Sequence, residues 1–163
     1  MRKGFALLEL IVVIIIISLS LALVSPTLSR FSKTTELKST AQKIAAILRH
    51  SRSEAVHRGR VYQVILQSDL KEVQVKWMEP EEAEEQRETE GNRPSPQTFV
   101  LPASISIKEL ELKAPQYGSE LPAIEFYPNG GSNGGSFLLQ GEAQQGYRIK
   151  VHWITGMVAI EKG

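Results

Sequence analysis

The chain is 163 residues long, 42% hydrophobic and 23% charged, with a formal net charge of +1 and no cysteine. That length supports one domain with a modest core, and the composition excludes wholesale disorder, collagen-like repeats and a polytopic membrane protein. Without cysteine there are no disulfide frameworks, thiolate nucleophiles or cysteine-based metal sites, and the near-neutral charge excludes a general nucleic-acid coat.

Residues Phe5 to Val24 form an apolar run interrupted only by Glu9, Ser18 and Ser20, behind the basic pair Arg2 and Lys3. As a helix, about twenty residues rise about 30 Å, the thickness of a bilayer's hydrocarbon core. A removable secretory signal also has a positive start and an apolar stretch, and Ser20-Leu21-Ala22 fits its small-x-small cleavage pattern. Two features oppose that reading: the run exceeds the usual signal core of about 7 to 15 residues, and a glutamate lies inside it. An ionisable group at mid-membrane costs on the order of 2 to 3 kcal/mol and marks function or a partner unless it snorkels to the headgroups.

The string Arg2-Lys3-Gly4-Phe5-Ala6-Leu7-Leu8-Glu9, running into that apolar stretch, resembles the class III signal of type IV prepilins and type II secretion pseudopilins. The resemblance implies cleavage between Gly4 and Phe5 by a prepilin peptidase, N-methylation of Phe5, and a role in assembly for Glu9, the fifth residue of the processed chain. Ala6 stands where members of the family commonly have Thr. Pro26 lies where the family often bends its helix. Inside a bundle of packed apolar helices a carboxylate is tolerable when a cation meets it, and the resemblance implies that this cation is a neighbouring subunit's N-terminal ammonium. The positive-inside count does not fix topology, because Arg30, Lys33, Lys38 and Lys43 follow the run just as Arg2 and Lys3 precede it. The resemblance of the cleavage motif implies a cytoplasmic N-terminus.

Beyond the apolar run, Leu37, Ala41, Ile44, Leu48, Ser51 and Ala55 recur at spacings of four and three, one face of a helix. The helix is expected to extend to Arg58 with Gly59 as its stop, and Pro26 to bend it without ending it. The division that follows is 1–4 leader, 5–25 transmembrane half, 26–58 amphipathic half and 59–163 a periplasmic β domain. Basic residues from Arg30 to Arg60 outnumber Glu36 and Glu54, a stripe read as a solvated face in preference to a phosphate-binding one. His50 and His57 share a face without a third ligand, so no metal is expected there.

After Gly59 the period becomes two. Strands are expected at 61–67, 72–77, 98–101, 105–112, 123–127, 137–140, 147–153 and 157–161, with Trp153 among the inward residues and a bulge where apolar parity slips between Ile107 and Leu110. Short strands with no second helical segment point to antiparallel sheets, one face covered by the helix stripe. The fold class is therefore α+β, a long N-terminal helix packed on antiparallel sheets, and the resemblance implies that it is pilin-like.

Two loops stand out. Residues 79–93 hold seven glutamates among Pro, Asn, Gly and Thr and read as a solvated insertion. The resemblance implies a calcium loop for major pseudopilins, but this chain has one aspartate, Asp69, which argues against such a cage. The stretch Pro128 to Ser136 repeats Asn-Gly between strand-like runs, which is hairpin chemistry, and it lacks the Lys and following helix of a phosphate loop. No nucleophile–base constellation is present, so no enzyme activity and no cofactor are expected.

Ile47-Leu48-Arg49-His50-Ser51-Arg52-Ser53-Glu54-Ala55-Val56 before the strand at 61–67, with Ile124-Glu125-Phe126-Tyr127-Pro128-Asn129-Gly130 and Ile154-Thr155-Gly156-Met157-Val158, resembles the H-type minor pseudopilins and the related FimT and FimU minor pilins. The resemblance implies a minor pseudopilin of type II protein secretion that is anchored in the inner membrane and assembled into a periplasmic filament. Its implied partners are prepilin peptidase, other major and minor pseudopilins, the inner-membrane assembly platform and exported protein, with no nucleic acid. A minor type IV pilin, acting in pilus assembly or DNA uptake, and a membrane-anchored β binding module stay open as alternatives.

Overall fold

The computed structural model describes residues 3–78, 97–117, 121–142 and 146–163, of which 3–6 and 21–32 are described by backbone alone. The elements are α1 (Lys3–Arg58), β1 (Val61–Gln67), β2 (Glu72–Met78), β3 (Gln97–Val100), β4 (Ile105–Leu112), β5 (Ala123–Phe126), β6 (Gly135–Gly141), β7 (Gly146–Val151) and β8 (Val158–Lys162). The chain divides into two compact units, Met1–Glu36 and Leu37–Gly163.

In the first unit α1 continues through position 26, so the proline does not end the helix. Leu7, Leu8, Leu10 and the aliphatic residues from Ile11 to Leu19 are all exposed. A helix greasy on every side is built for a covering of lipid or other helices. Among the described residues no helix is long and apolar enough to cross a membrane, and the side chains described in the apolar run are those of residues 7–20.

In the second unit the helical stripe behaves as its period demands: Leu37, Ala41, Ile44, Leu48, Ser51 and Ala55 are all buried. Each large aliphatic side chain taken fully out of water contributes roughly 1.5 to 3 kcal/mol. The stop at Gly59 also holds. Gly59 has φ of +65°, and the Arg60 amide reaches back to the Ala55 carbonyl at 3.2 Å, the closure that a left-handed residue after the last turn permits.

Two four-stranded sheets follow, in the orders β3-β2-β1-β5 and β4-β6-β7-β8. Every strand pair is antiparallel. A single apolar cluster joins the α1 stripe to Tyr62, Val64, Leu66, Val73, Ile124 and Phe126 of the first sheet and to Ile105, Ile107, Phe137, Leu139, Ile149 and Val151 of the second. The helix therefore serves both sheets, where the sequence pattern suggested one.

The expected strands are present with shifted ends. The parity slip in β4 is real: the register jumps between Lys108 and Glu111, and Glu109 adopts φ of +46°, a left-handed residue that absorbs the extra position of a bulge. The strand expected at 147–153 stops at Val151, and Trp153 is 59% exposed. Its alternation breaks because residues 152–157 form the loop to β8: the His152 amide donates to the Met157 carbonyl at 2.9 Å and the Gly156 amide to the His152 carbonyl at 2.7 Å. The two Asn-Gly pairs also part company. Asn129-Gly130 forms a tight turn that brings Ser132 opposite Phe126. Asn133-Gly134 instead carries the chain out of the first sheet and into the second, since β5 and β6 belong to different sheets. The glutamate-rich segment 79–93 lies outside the described residues.

Candidate functional site

The anticipated assembly residues all belong to the first unit. Glu9 sits on α1 among exposed aliphatic side chains, and is itself exposed. Gly4, Phe5 and Pro26 fall on helical backbone and their surroundings lie outside the described residues. What the described geometry supplies is an uncovered apolar surface from Leu7 to Leu19 with one carboxylate on it.

The second unit contains a polar centre that strand parity concealed. Glu125 lies between Ile124 and Phe126, so alternation reads it as the solvent side of β5. It is 0% exposed. The segment from Lys113 to Tyr117 covers it: the Gln116 and Tyr117 amides donate to Glu125 Oε2 and Oε1 at 2.9 and 3.1 Å. Gln63, its partner across the β1–β5 ladder, donates Nε2 to Glu125 Oε1 at 2.8 Å and also to the Tyr117 carbonyl. The Tyr127 hydroxyl donates to Oε2 at 3.1 Å. Among the described residues its four partners are hydrogen-bond donors and none is a cation, so the buried carboxyl is matched by hydrogen bonds. Burial pushes the Tyr127 phenol above its ordinary value, and the hydrogen bond to Glu125 adds to that.

A third arrangement ties the end of α1 to the loops. Arg52 Nε donates to the Gly130 carbonyl at 3.1 Å and to the Thr155 carbonyl at 2.8 Å. Arg49 Nη2 donates to the Val158 carbonyl at 3.1 Å. Two members of the basic stripe are thus structural clamps, a role that charge counting could not separate from solvation. The loops fit closely enough to need glycine: a Cβ on Gly156 would stand 2.7 Å from the Gly130 carbonyl oxygen and 2.9 Å from Arg52 Cδ. On another side of the helix, Glu54 pairs with Arg58 and accepts from Tyr62. Burial raises the Tyr62 phenol, partly offset by the Arg58 charge.

His50 and His57 are exposed on α1. Among the described residues no group of three His, Cys, Asp or Glu side chains could hold a metal ion. These residues are arranged to build contacts: an apolar helix that needs covering and a sheet domain whose loops are fastened to the helix end.

Residues 40–156 match the family model described as Type II transport protein GspH. The chain is also 28% identical over 156 residues, covering 96% of its length and 81% of the relative's, to Type II secretion system protein H of Xanthomonas campestris pv. campestris. Among solved structures it resembles the minor pseudopilin EpsH from the type 2 secretion system of Vibrio cholerae, with a TM-score of 0.55, 15% identity and coverage of 78% of this chain and 97% of that one. It resembles equally the type IV minor pilin FimU of Pseudomonas aeruginosa, with a TM-score of 0.55, 20% identity and coverage of 80% and 92%. At such identities the structural likenesses establish the fold, which is the pilin-like α+β arrangement. The family match runs from residue 40 on α1 through β7 to Gly156 in the loop that Arg52 clamps, more than half of the chain, and on that ground the chain belongs to the type II transport protein GspH family, the minor pseudopilins of type II secretion.

Proposed function

We propose that the chain is made as a single-pass inner-membrane precursor, cut by prepilin peptidase between Gly4 and Phe5, methylated on Phe5 and drawn through the assembly platform into the periplasmic pseudopilus that drives protein export. The observation that carries this is the leader Arg2-Lys3-Gly4-Phe5 with Glu9 four residues on, opening a helix whose side chains from Leu7 to Leu19 are all available for covering. Residues 5–25 are the membrane-spanning half, 26–58 the amphipathic half and 59–163 the periplasmic domain, with Pro26 as the bend between helix halves.

Glu9 acts as the register key. Its carboxylate meets the N-terminal ammonium of an adjacent subunit, so that insertion at the wrong height leaves a charge unpaired in an apolar bundle. The other pseudopilins are its partners in the filament, and exported protein meets its surface there.

Mass spectrometry of the mature N-terminus tests processing. The expected species begins with N-methylated Phe5; an intact Met1 overturns the proposal and leaves a membrane-anchored binding module. Glu9→Leu is expected to insert in the membrane normally and fail to enter filaments, and normal incorporation of that variant overturns the role of Glu9. The likeness to a type IV minor pilin gives a second reading. A deletion strain that loses piliation or DNA uptake while retaining secretion favours it.

A further inference from the structure

Where the loops meet the end of α1, the domain presents a surface that its own packing does not use. Trp153, Ile154 and Met157 are 59%, 59% and 65% exposed. Trp153 is exposed yet anchored. A Cβ on Gly134 would lie 2.9 Å from Trp153 Cβ, His152 stacks on the Trp153 ring at 6.4 Å between centroids, and Lys113 Nζ stands 5.7 Å from the same ring. A tryptophan held in water on a fastened loop has already lost the conformational freedom that binding would otherwise remove.

Among the described residues, the charges that border this surface with groups turned to it are positive. Arg49 and Arg52 border it from α1 and Lys113 from the segment before β5. The loop bonds of Arg52 both use Nε, and the bond of Arg49 uses Nη2, so each guanidinium keeps further donors after making them. Of the described carboxylates near it, Glu54 pairs with Arg58, Glu111 accepts from the Ser136 hydroxyl and Glu125 is buried. Beside Trp153 an open cleft of about 430 Å³ is lined by Lys113, Tyr127 and Ile154, with no carboxylate among the described residues of its lining.

We infer that this surface receives an acidic segment of a neighbouring subunit's globular domain, which lays an apolar side chain in the cleft against Trp153 and Ile154 and sets its carboxylates on Lys113, Arg49 and Arg52. The complementarity is specific in chemistry: a basic segment is repelled, and a neutral apolar one leaves the guanidinium donors unmatched. The source of the segment rests on the filament reading above, since this surface includes α1, the element through which that reading brings subunits together.

The test uses the full chain in secreting cells, with a photo-crosslinking residue in place of Ile154 and, in a separate strain, of Leu10. The Ile154 adduct is expected to map to another subunit, within a few residues of an Asp or Glu. The double variant Arg49→Glu, Lys113→Glu is expected to lower its yield at least ten-fold while leaving the Leu10 adduct unchanged, and a Lys placed at the partner's carboxylate to restore it. Lys113→Glu alone, at an exposed position, is expected to act in the same direction and serves if the double variant fails to fold. An adduct to exported protein or to a basic segment, a yield indifferent to charge reversal, or no Ile154 adduct beside a normal Leu10 adduct overturns the docking surface alone. Absence of both adducts overturns the filament reading and this surface with it.

Discussion

Gln63 faces Glu125 directly across the β1–β5 ladder, and its amide nitrogen reaches both Glu125 Oε1 and the carbonyl of Tyr117. One side chain thereby holds the buried carboxylate and fastens the segment that buries it. Glu125 answers by accepting from two backbone amides of that segment. Replacing Glu125 with Gln keeps the shape but sets an amide nitrogen against a backbone N–H whichever way the amide turns. A buried group left unmatched costs about 1 to 3 kcal/mol. The expected outcome is a lowered melting temperature for the full chain in detergent; melting at the wild-type temperature refutes the four-donor account.

Arg52 is expected to matter locally as much as globally. Arg52→Met keeps the packing stem and removes the bonds to Gly130 and Thr155, at a cost of about 1.5 to 3 kcal/mol for hydrogen bonds from a charged donor. Hydrogen exchange is the discriminating measurement. Amides in 128–134 and 152–157 should exchange faster while the β1–β2 hairpin stays as protected as before.

Two glycines separate backbone strain from collision. Gly59 and Gly156 both have left-handed φ, +65° and +60°, so alanine at either pays the conformational cost of about 1 to 2 kcal/mol. Around Gly59 a Cβ meets nothing within 4 Å, whereas at Gly156 it meets the Gly130 carbonyl and Arg52. Chemical denaturation should therefore rank Gly156→Ala below Gly59→Ala. The reverse order would mean that the clamped loops are looser than described.

Stability should fall at alkaline pH through Tyr127. Its phenol titrates above the ordinary value of about 10 in the folded chain because of burial and the Glu125 contact. Below pH of about 10 both states hold the proton and this contribution is complete; above it the unfolded chain releases the proton first, and the contribution is lost as pH rises toward the folded value. Tyr127→Phe starts from lower stability, having lost one hydrogen bond. Its decline above pH of about 10 should be shallower than wild type.

Much of this architecture was legible because it is periodic. The stripe from Leu37 to Ala55 and the parity slip in β4 are consequences of helix and strand repeat, and both appear where the spacing put them. The partition into two sheets was not legible, because strand pattern records which residues face inward and is silent about which ladder a strand joins. Trp153 continues the parity of β7, but its alternation carries no signal of where pairing stops. Glu125 was hidden for a related reason: its burial depends on a non-strand segment folding over it. Arg49 and Arg52 look like any charged helix face until the carbonyls they reach are in place. The roles proposed for Gly4, Phe5 and Glu9 rest on a linear motif, the kind of signal that needs no tertiary structure.

The outer border of β5 is closed by a side chain. Asn133 Oδ1 accepts from the Glu125 amide at 2.8 Å, its Nδ2 donates to the Ala123 carbonyl at 3.0 Å, and its own amide donates to the Glu125 carbonyl at 3.3 Å. These groups imitate the peptide of an adjoining strand, so the first sheet cannot lengthen there by recruiting foreign backbone. At this border a filament-family subunit has thus shut off the indiscriminate route by which β-proteins stick together, and left stacking there to contacts that can be chosen residue by residue.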